Sequence, residues 1–90
     1  MPKRIQIVVT GRVQGVGFRA TCAQRAAHLG LAGSVRNRPN GAVEVLAEGP
    51  ATEVDALLDW CRTGPIYARV TSVDVTDEEP TGESGFRISG

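Results

Sequence analysis

The densest chemical signal in this sequence is the run Gln14-Gly15-Val16-Gly17-Phe18-Arg19. Glycines at Gly15 and Gly17 give the backbone the freedom to turn several N–H groups inward and make a nest for an anion. If a helix starts where the run ends, its first turn adds unpaired N–H donors and the positive end of its dipole. Arg19 would then sit in that first turn. Its planar guanidinium can fork onto two oxygens of a phosphate, which a lysine ammonium cannot do. The chemistry this pattern supports is binding of a phosphoryl group.

Related glycine loops fit less well. Gly15-Val16-Gly17-Phe18-Arg19-Ala20 satisfies the relaxed dinucleotide pattern G-x-G-x-x-A. That pattern expects an acidic residue roughly twenty positions later to hold a ribose. This chain has Arg36, Arg38 and Asn40 in that region. A nucleoside-triphosphate loop would continue into Gly-Lys-Ser/Thr, and none follows. Both readings are set aside.

A loop of this kind needs a strand to deliver it and a helix to receive it. Ile5, Ile7 and Val9 alternate with Arg4 and Gln6, predicting a strand over Lys3 to Thr10. Phe18, Cys22, Ala26 and Leu29 share one helical face, so a helix is expected from Phe18 to Leu29, ended by Gly30. Strands are expected over Ala32 to Arg38 and Ala42 to Glu48. Pro39-Asn40-Gly41 between them reads as a hairpin turn whose Asn and Gly tolerate positive φ. Gly49-Pro50 stops the third strand, and Thr52 is the expected cap of a second helix. That helix buries Val54, Leu57, Leu58 and Cys61 and ends at Gly64-Pro65. A fourth strand is expected over Ala68 to Thr76, an acidic turn over Asp77 to Gly82, and a short final strand at Phe86 and Ile88.

The order β-α-β-β-α-β, plus a short terminal strand, predicts an α+β fold. It is a ferredoxin-like two-layer sandwich, with an antiparallel sheet carrying both helices on one face. Ninety residues make one domain, taken as residues 1–90. No apolar run is long enough for a membrane span, and no apolar stretch follows the basic start as in a signal peptide. A cytoplasmic protein with no membrane partner is expected. Cys22 and Cys61 fall on helix stripes and read as buried thiols. With a single His in the chain they make no metal cluster, so neither metal nor cofactor is expected.

Net charge is zero, yet Lys3, Arg4, Arg12, Arg19, Arg25, Arg36 and Arg38 all precede the first acidic residue, Glu44. The basic first half can attract an anionic ligand, or folding can bring the two halves together and offset it. Charge alone does not choose between these.

The segment Gly11-Arg12-Val13-Gln14-Gly15-Val16-Gly17-Phe18-Arg19 resembles the first signature of the acylphosphatase family nearly residue for residue. Gly33-Ser34-Val35-Arg36-Asn37-Arg38-Pro39-Asn40-Gly41-Ala42-Val43-Glu44 resembles the second. Glu48-Gly49-Pro50, Trp60 and Gly64-Pro65 also fall where that family tends to have them. Ser34 departs from it, standing where a large aromatic or apolar residue is usual, and Asn40 replaces a common Asp.

The resemblance implies the same sandwich fold and hydrolysis of acyl phosphates to carboxylate and inorganic phosphate. It assigns Arg19 to phosphate binding and Asn37 to placing the attacking water. Residues Gln14, Gly15, Val16, Gly17, Phe18 and Arg19 are the expected substrate-binding loop. A carboxylate leaves readily because its conjugate acid is strong, so no general acid is required from the protein. Arg36 and Arg38 are expected to point away from Asn37 by strand alternation. The Gly90 carboxylate is a candidate to orient Arg19 if the last strand returns to the loop. The expected partner is a small acyl phosphate, with no nucleic acid and a monomeric chain.

The alternative is a non-catalytic ferredoxin-like binding module, for RNA or a regulatory anion. Such domains read RNA with aromatic residues on the open sheet face. The central strands here offer Ile, Val, Leu and Ala instead.

Overall fold

The computed structural model describes residues 2–90. Its elements run β1 (Pro2–Arg12), α1 (Phe18–His28), β2 (Ala32–Asn37), β3 (Val43–Pro50), α2 (Ala51–Cys61), β4 (Arg69–Glu78) and β5 (Phe86–Ile88). The sheet order is β4-β1-β3-β2-β5. The first four strands pair antiparallel, as two interleaved strand-helix-strand units require.

The expected all-antiparallel sheet is corrected at its edge, where β5 runs parallel to β2, making the sheet mixed. The cause is the link between β4 and β5. β4 ends opposite Arg4, at the end of the sheet away from the glycine loop. The chain crosses at that end, and β5 must then run back in the direction of β2. It finishes at the same end of the sheet as the loop Val13–Gly17.

Strand alternation builds the core. Ile5, Ile7 and Val9 face Ala47, Val45 and Val43 across the β1–β3 register, and all six side chains are fully buried. The helices lay Phe18, Cys22 and Ala26 of α1 and Val54, Leu57 and Cys61 of α2 onto this face. Each large aliphatic side chain buried this way contributes about 1.5–3 kcal/mol. Phe18 packs against Trp60 with ring centroids 5.0 Å apart, tilted by 52°, and the Arg25 guanidinium lies 5.8 Å from the Trp60 ring. Both cysteines are free thiols buried in this core.

The opposite sheet face is polar. Arg36 and Arg38 converge on Glu44, at 3.2 and 2.7 Å. At the far end Arg4 contacts Glu48 at 3.0 Å, Glu78 at 3.1 Å and Glu83 at 2.7 Å. Glu48 also accepts hydrogen bonds from the N–H groups of Thr81 at 2.9 Å and Gly82 at 2.8 Å. These contacts pin the crossing segment onto the sheet. Four of the seven first-half cations, Lys3, Arg4, Arg36 and Arg38, therefore pair with carboxylates from Glu44 onward.

Three local expectations are revised. α2 begins at Ala51, with Pro50 at its cap position, and the Thr52 hydroxyl turns to Glu53 instead of capping. Pro at a helix entry gives up no bond, because its missing N–H would have had no helical acceptor. Asp77 and Glu78 extend β4 rather than opening a turn, since Glu78 pairs with Arg4 in both the ladder and an ion pair. In the β2–β3 hairpin only Gly41 takes positive φ, at 94°. Asn40 acts through its side chain, accepting the Ala42 N–H at 3.1 Å.

Candidate active site

All the chain segments that carry the expected site residues arrive at one end of the sheet. β1 runs out at Arg12, and the glycine loop leads straight into α1. β2 ends at Asn37, and β5 brings Ser89 and Gly90 alongside.

The loop has the backbone geometry that its glycines predict. Gly15 and Gly17 sit at φ of 75° and 80°, and a Cβ at either would meet nothing within 4 Å. Their need is conformational, because a residue with a side chain is strained at such φ values. Left-handed Gly17 is also the cap residue of α1, and no side chain caps that end. The first helical bond runs from Thr21 N–H to Gly17 O at 3.1 Å. The N–H groups before it in the helix thus have no helical acceptor. No acidic residue occupies this first turn, so nothing there competes with an anion.

Gln14 is placed differently from the rest of the expected binding loop. Its side-chain amide donates to Arg38 O at 2.8 Å and Ala42 O at 2.9 Å. The residue ties the loop to the β2–β3 hairpin, and with it to Asn37. Val16 packs against the core edge, and the Phe18 ring is buried within the core.

A cavity of about 260 Å³ opens between the loop, α1, β2 and β5, lined by Val13, Gly15, Gly17, Phe18, Arg19, Ala20, Asn37 and Ile88. Arg19 and Asn37 share it. Alternation along β2 explains Asn37: Val35, two residues earlier, faces Val45 in the core, so Asn37 turns to the helix side. Arg36 and Arg38 take the opposite face, where both pair with Glu44. Burial by itself would raise the Glu44 pKa, but hydrogen bonds from Arg36 and Arg38 outweigh it and hold the carboxyl below its ordinary range.

The Arg19 guanidinium donates to the backbone oxygen of Gly90 at 2.7 Å, and Asn37 N–H donates to that same oxygen at 3.1 Å. One oxygen thereby holds the arginine to the strand that bears the asparagine. The Asn37 side-chain Oδ1 is buried and has no hydrogen-bond partner, alone in this among the described residues. A buried acceptor left open in this way costs about 1–3 kcal/mol unless a donor arrives. A water or ligand O–H in the cavity would supply one.

Two residues at the site had no chemical signature of their own. Ile88 lines the cavity, although in sequence it marked only a short strand. Ala20 likewise became part of the wall through its place on the first turn of α1.

Comparison with known proteins gives the family. The acylphosphatase family model matches residues 5–88. The chain is 58% identical to an acylphosphatase of Methylococcus capsulatus over 81 residues, covering 90% of this chain and 88% of that protein. The crystal structure of an acylphosphatase from Bacillus subtilis superposes with a TM-score of 0.93 at 38% identity, over 100% of both chains. An acylphosphatase structure from Coxiella burnetii gives the same TM-score of 0.93 at 34% identity, over 98% of this chain and 93% of that one. Sequence and architecture thus converge, and the chain belongs to the acylphosphatase family.

Proposed function

We propose that this acylphosphatase splits the carboxyl–phosphate bond with two side chains and a backbone cradle. Arg19 and the N–H groups from Gly15 to Arg19 hold the phosphoryl oxygens. Asn37 Oδ1 accepts a hydrogen bond from the attacking water. The water oxygen forms a bond to phosphorus as the bond from phosphorus to the acyl oxygen breaks. The electron pair of that bond leaves on the carboxylate, and the water's proton passes to a phosphoryl oxygen.

The observation that carries this reading is the orphaned Asn37 Oδ1 in the same cavity as Arg19. Phosphoryl transfer depends on positioning and charge stabilisation more than on covalent help from the protein. A cradle, a fixed arginine and one oriented water meet that need, and a carboxylate leaving group asks for no acid. The cycle needs neither metal nor cofactor.

The chain acts as a cytoplasmic monomer on a small acyl phosphate and takes no nucleic acid. The open sheet face supports the last point, since its charged side chains Arg4, Arg36, Arg38, Glu44 and Glu48 are engaged with one another. Phe18 and Trp60 lie on the helix side, Phe86 of β5 packs against the same core and Tyr67 lies outside the strands, so among the described residues that face carries no aromatic platform.

Benzoyl phosphate hydrolysis, followed with and without a chelator, tests the mechanism. Equal turnover in both is the expected result. Loss of turnover in chelator, restored by a divalent cation, would overturn the metal-free cycle.

A further inference from the structure

The cavity is divided by polarity. Its polar wall comprises the loop backbone, Arg19 and Asn37, all of which the phosphoryl group and its water engage under the mechanism above. Val13 and Phe18 are buried and form its floor. That leaves Ala20 and Ile88 as the accessible apolar wall, and Ile88 is 48% exposed.

We propose that Ile88, with Ala20, is the contact surface for the acyl group, and that it selects uncharged, apolar acyl phosphates. This inference rests on the mechanistic reading of Arg19 and Asn37.

Three features of the site support it. Register places Ile88 opposite Val35 on parallel β5, so its side chain lies on the helix side of the sheet with Asn37. Two residues on, Gly90 holds Arg19, so the strand that fixes the phosphate ligand also fixes Ile88. Charge makes the third feature. Among the described residues Arg19 is the one charged side chain lining the cavity, and the phosphoryl group takes it. A second carboxylate on the acyl group would meet aliphatic carbon and lose hydration with no partner in return. A hydrocarbon acyl group would instead cover Ile88 and gain from leaving water.

The test compares benzoyl, acetyl and succinyl phosphates on the parent protein and on Ile88→Ala and Ile88→Lys. Each methylene-sized contact removed costs about a factor of four. Ile88→Ala removes three carbons from a side chain that a bound acyl group covers only by about half, so it should lower the benzoyl-to-acetyl ratio of kcat/KM about five- to tenfold, chiefly through KM. Ile88→Lys should raise the succinyl-to-benzoyl ratio at least as much. Inhibition by inorganic phosphate, measured on the same variants, reports whether the phosphate seat is intact. Because Ile88 is half exposed on an edge strand, both variants should keep the parent far-UV spectrum. If Ile88→Ala slows benzoyl and acetyl phosphates in equal proportion, the residue only closes the rim and the acyl subsite is wrong. If instead Arg19→Ala hydrolyses all three at the parent rate, the mechanism fails first and takes the subsite with it.

Discussion

Arg19 reaches across to Gly90, and the 2.7 Å hydrogen bond between them joins residues 71 positions apart. The same Gly90 oxygen takes the Asn37 N–H at 3.1 Å. Under the proposed mechanism, a long, flexible arginine is thereby held in place before any phosphate arrives. Preorganisation of this kind saves the ordering entropy that an unrestrained side chain would lose at binding.

Removing Ser89 and Gly90 should free the Arg19 side chain while leaving its charge in place. The loss in kcat/KM is expected at roughly tenfold, about the free energy of one charge-assisted hydrogen bond. Arg19→Ala should cost several hundredfold, because the charge itself is lost. Steady-state kinetics on both variants give the ordering. A truncation as damaging as Arg19→Ala would mean that the strand end contributes more than orientation.

Asn37→Ala should separate turnover from binding. With the water acceptor gone, kcat is expected to fall on the order of a hundredfold. Inhibition by inorganic phosphate should change little, since Arg19 and the cradle remain. Equal losses in both measurements would count against a role confined to the water.

Gln14→Ala should act on stability before chemistry. It removes the side-chain donor from Arg38 O and Ala42 O, which keep the backbone N–H groups of Gly41 at 3.1 Å and Arg38 at 2.8 Å, at a cost of about 0.5–1.5 kcal/mol per bond lost. The hairpin and Asn37 should then move more freely, giving a lower midpoint in urea and a smaller loss of kcat than in Asn37→Ala. Chemical denaturation and kinetics on one preparation test this together.

Acid should loosen the far end of the sheet. The Glu48 carboxyl is lowered from 4.5 to about 2, first by the Thr81 N–H, against the opposing effect of burial, and then by the Gly82 N–H and Arg4. A pKa depressed by folding stabilises the protein above the unfolded value and loses that contribution as pH falls toward the folded one. Glu83 is lowered as well, chiefly by its hydrogen bond from Arg4. Thermal stability should therefore decline between about pH 4.5 and pH 2. In Glu48→Gln the slope over that window should be visibly shallower. An unchanged slope would place the acid sensitivity elsewhere.

Local pattern carried much of this protein. Alternation at Ile5, Ile7 and Val9, and helical spacing from Phe18 to Ala26, are periodic signals that each element prints on its own residues. The glycine loop was equally legible, because Gly15 and Gly17 answer a backbone requirement that neighbouring residues impose. The side of Asn37 followed from counting along a strand.

Tertiary structure decided what depends on residues distant in the chain. The parallel pairing of β5, the Gly90 oxygen between Arg19 and Asn37, and the grip of Gln14 on the hairpin arise only when separate segments meet. So does the role of Ile88, whose type is the same in a core, on a rim or in a strand interior. Periodicity tells which face a side chain takes, whereas contact with a partner many residues away is set by how the chain crosses the sheet. The sequence by itself determined the loop, its arginine and the order of elements around them. The crossing at residues 79–85 decided that Gly90 would lie between Arg19 and Asn37.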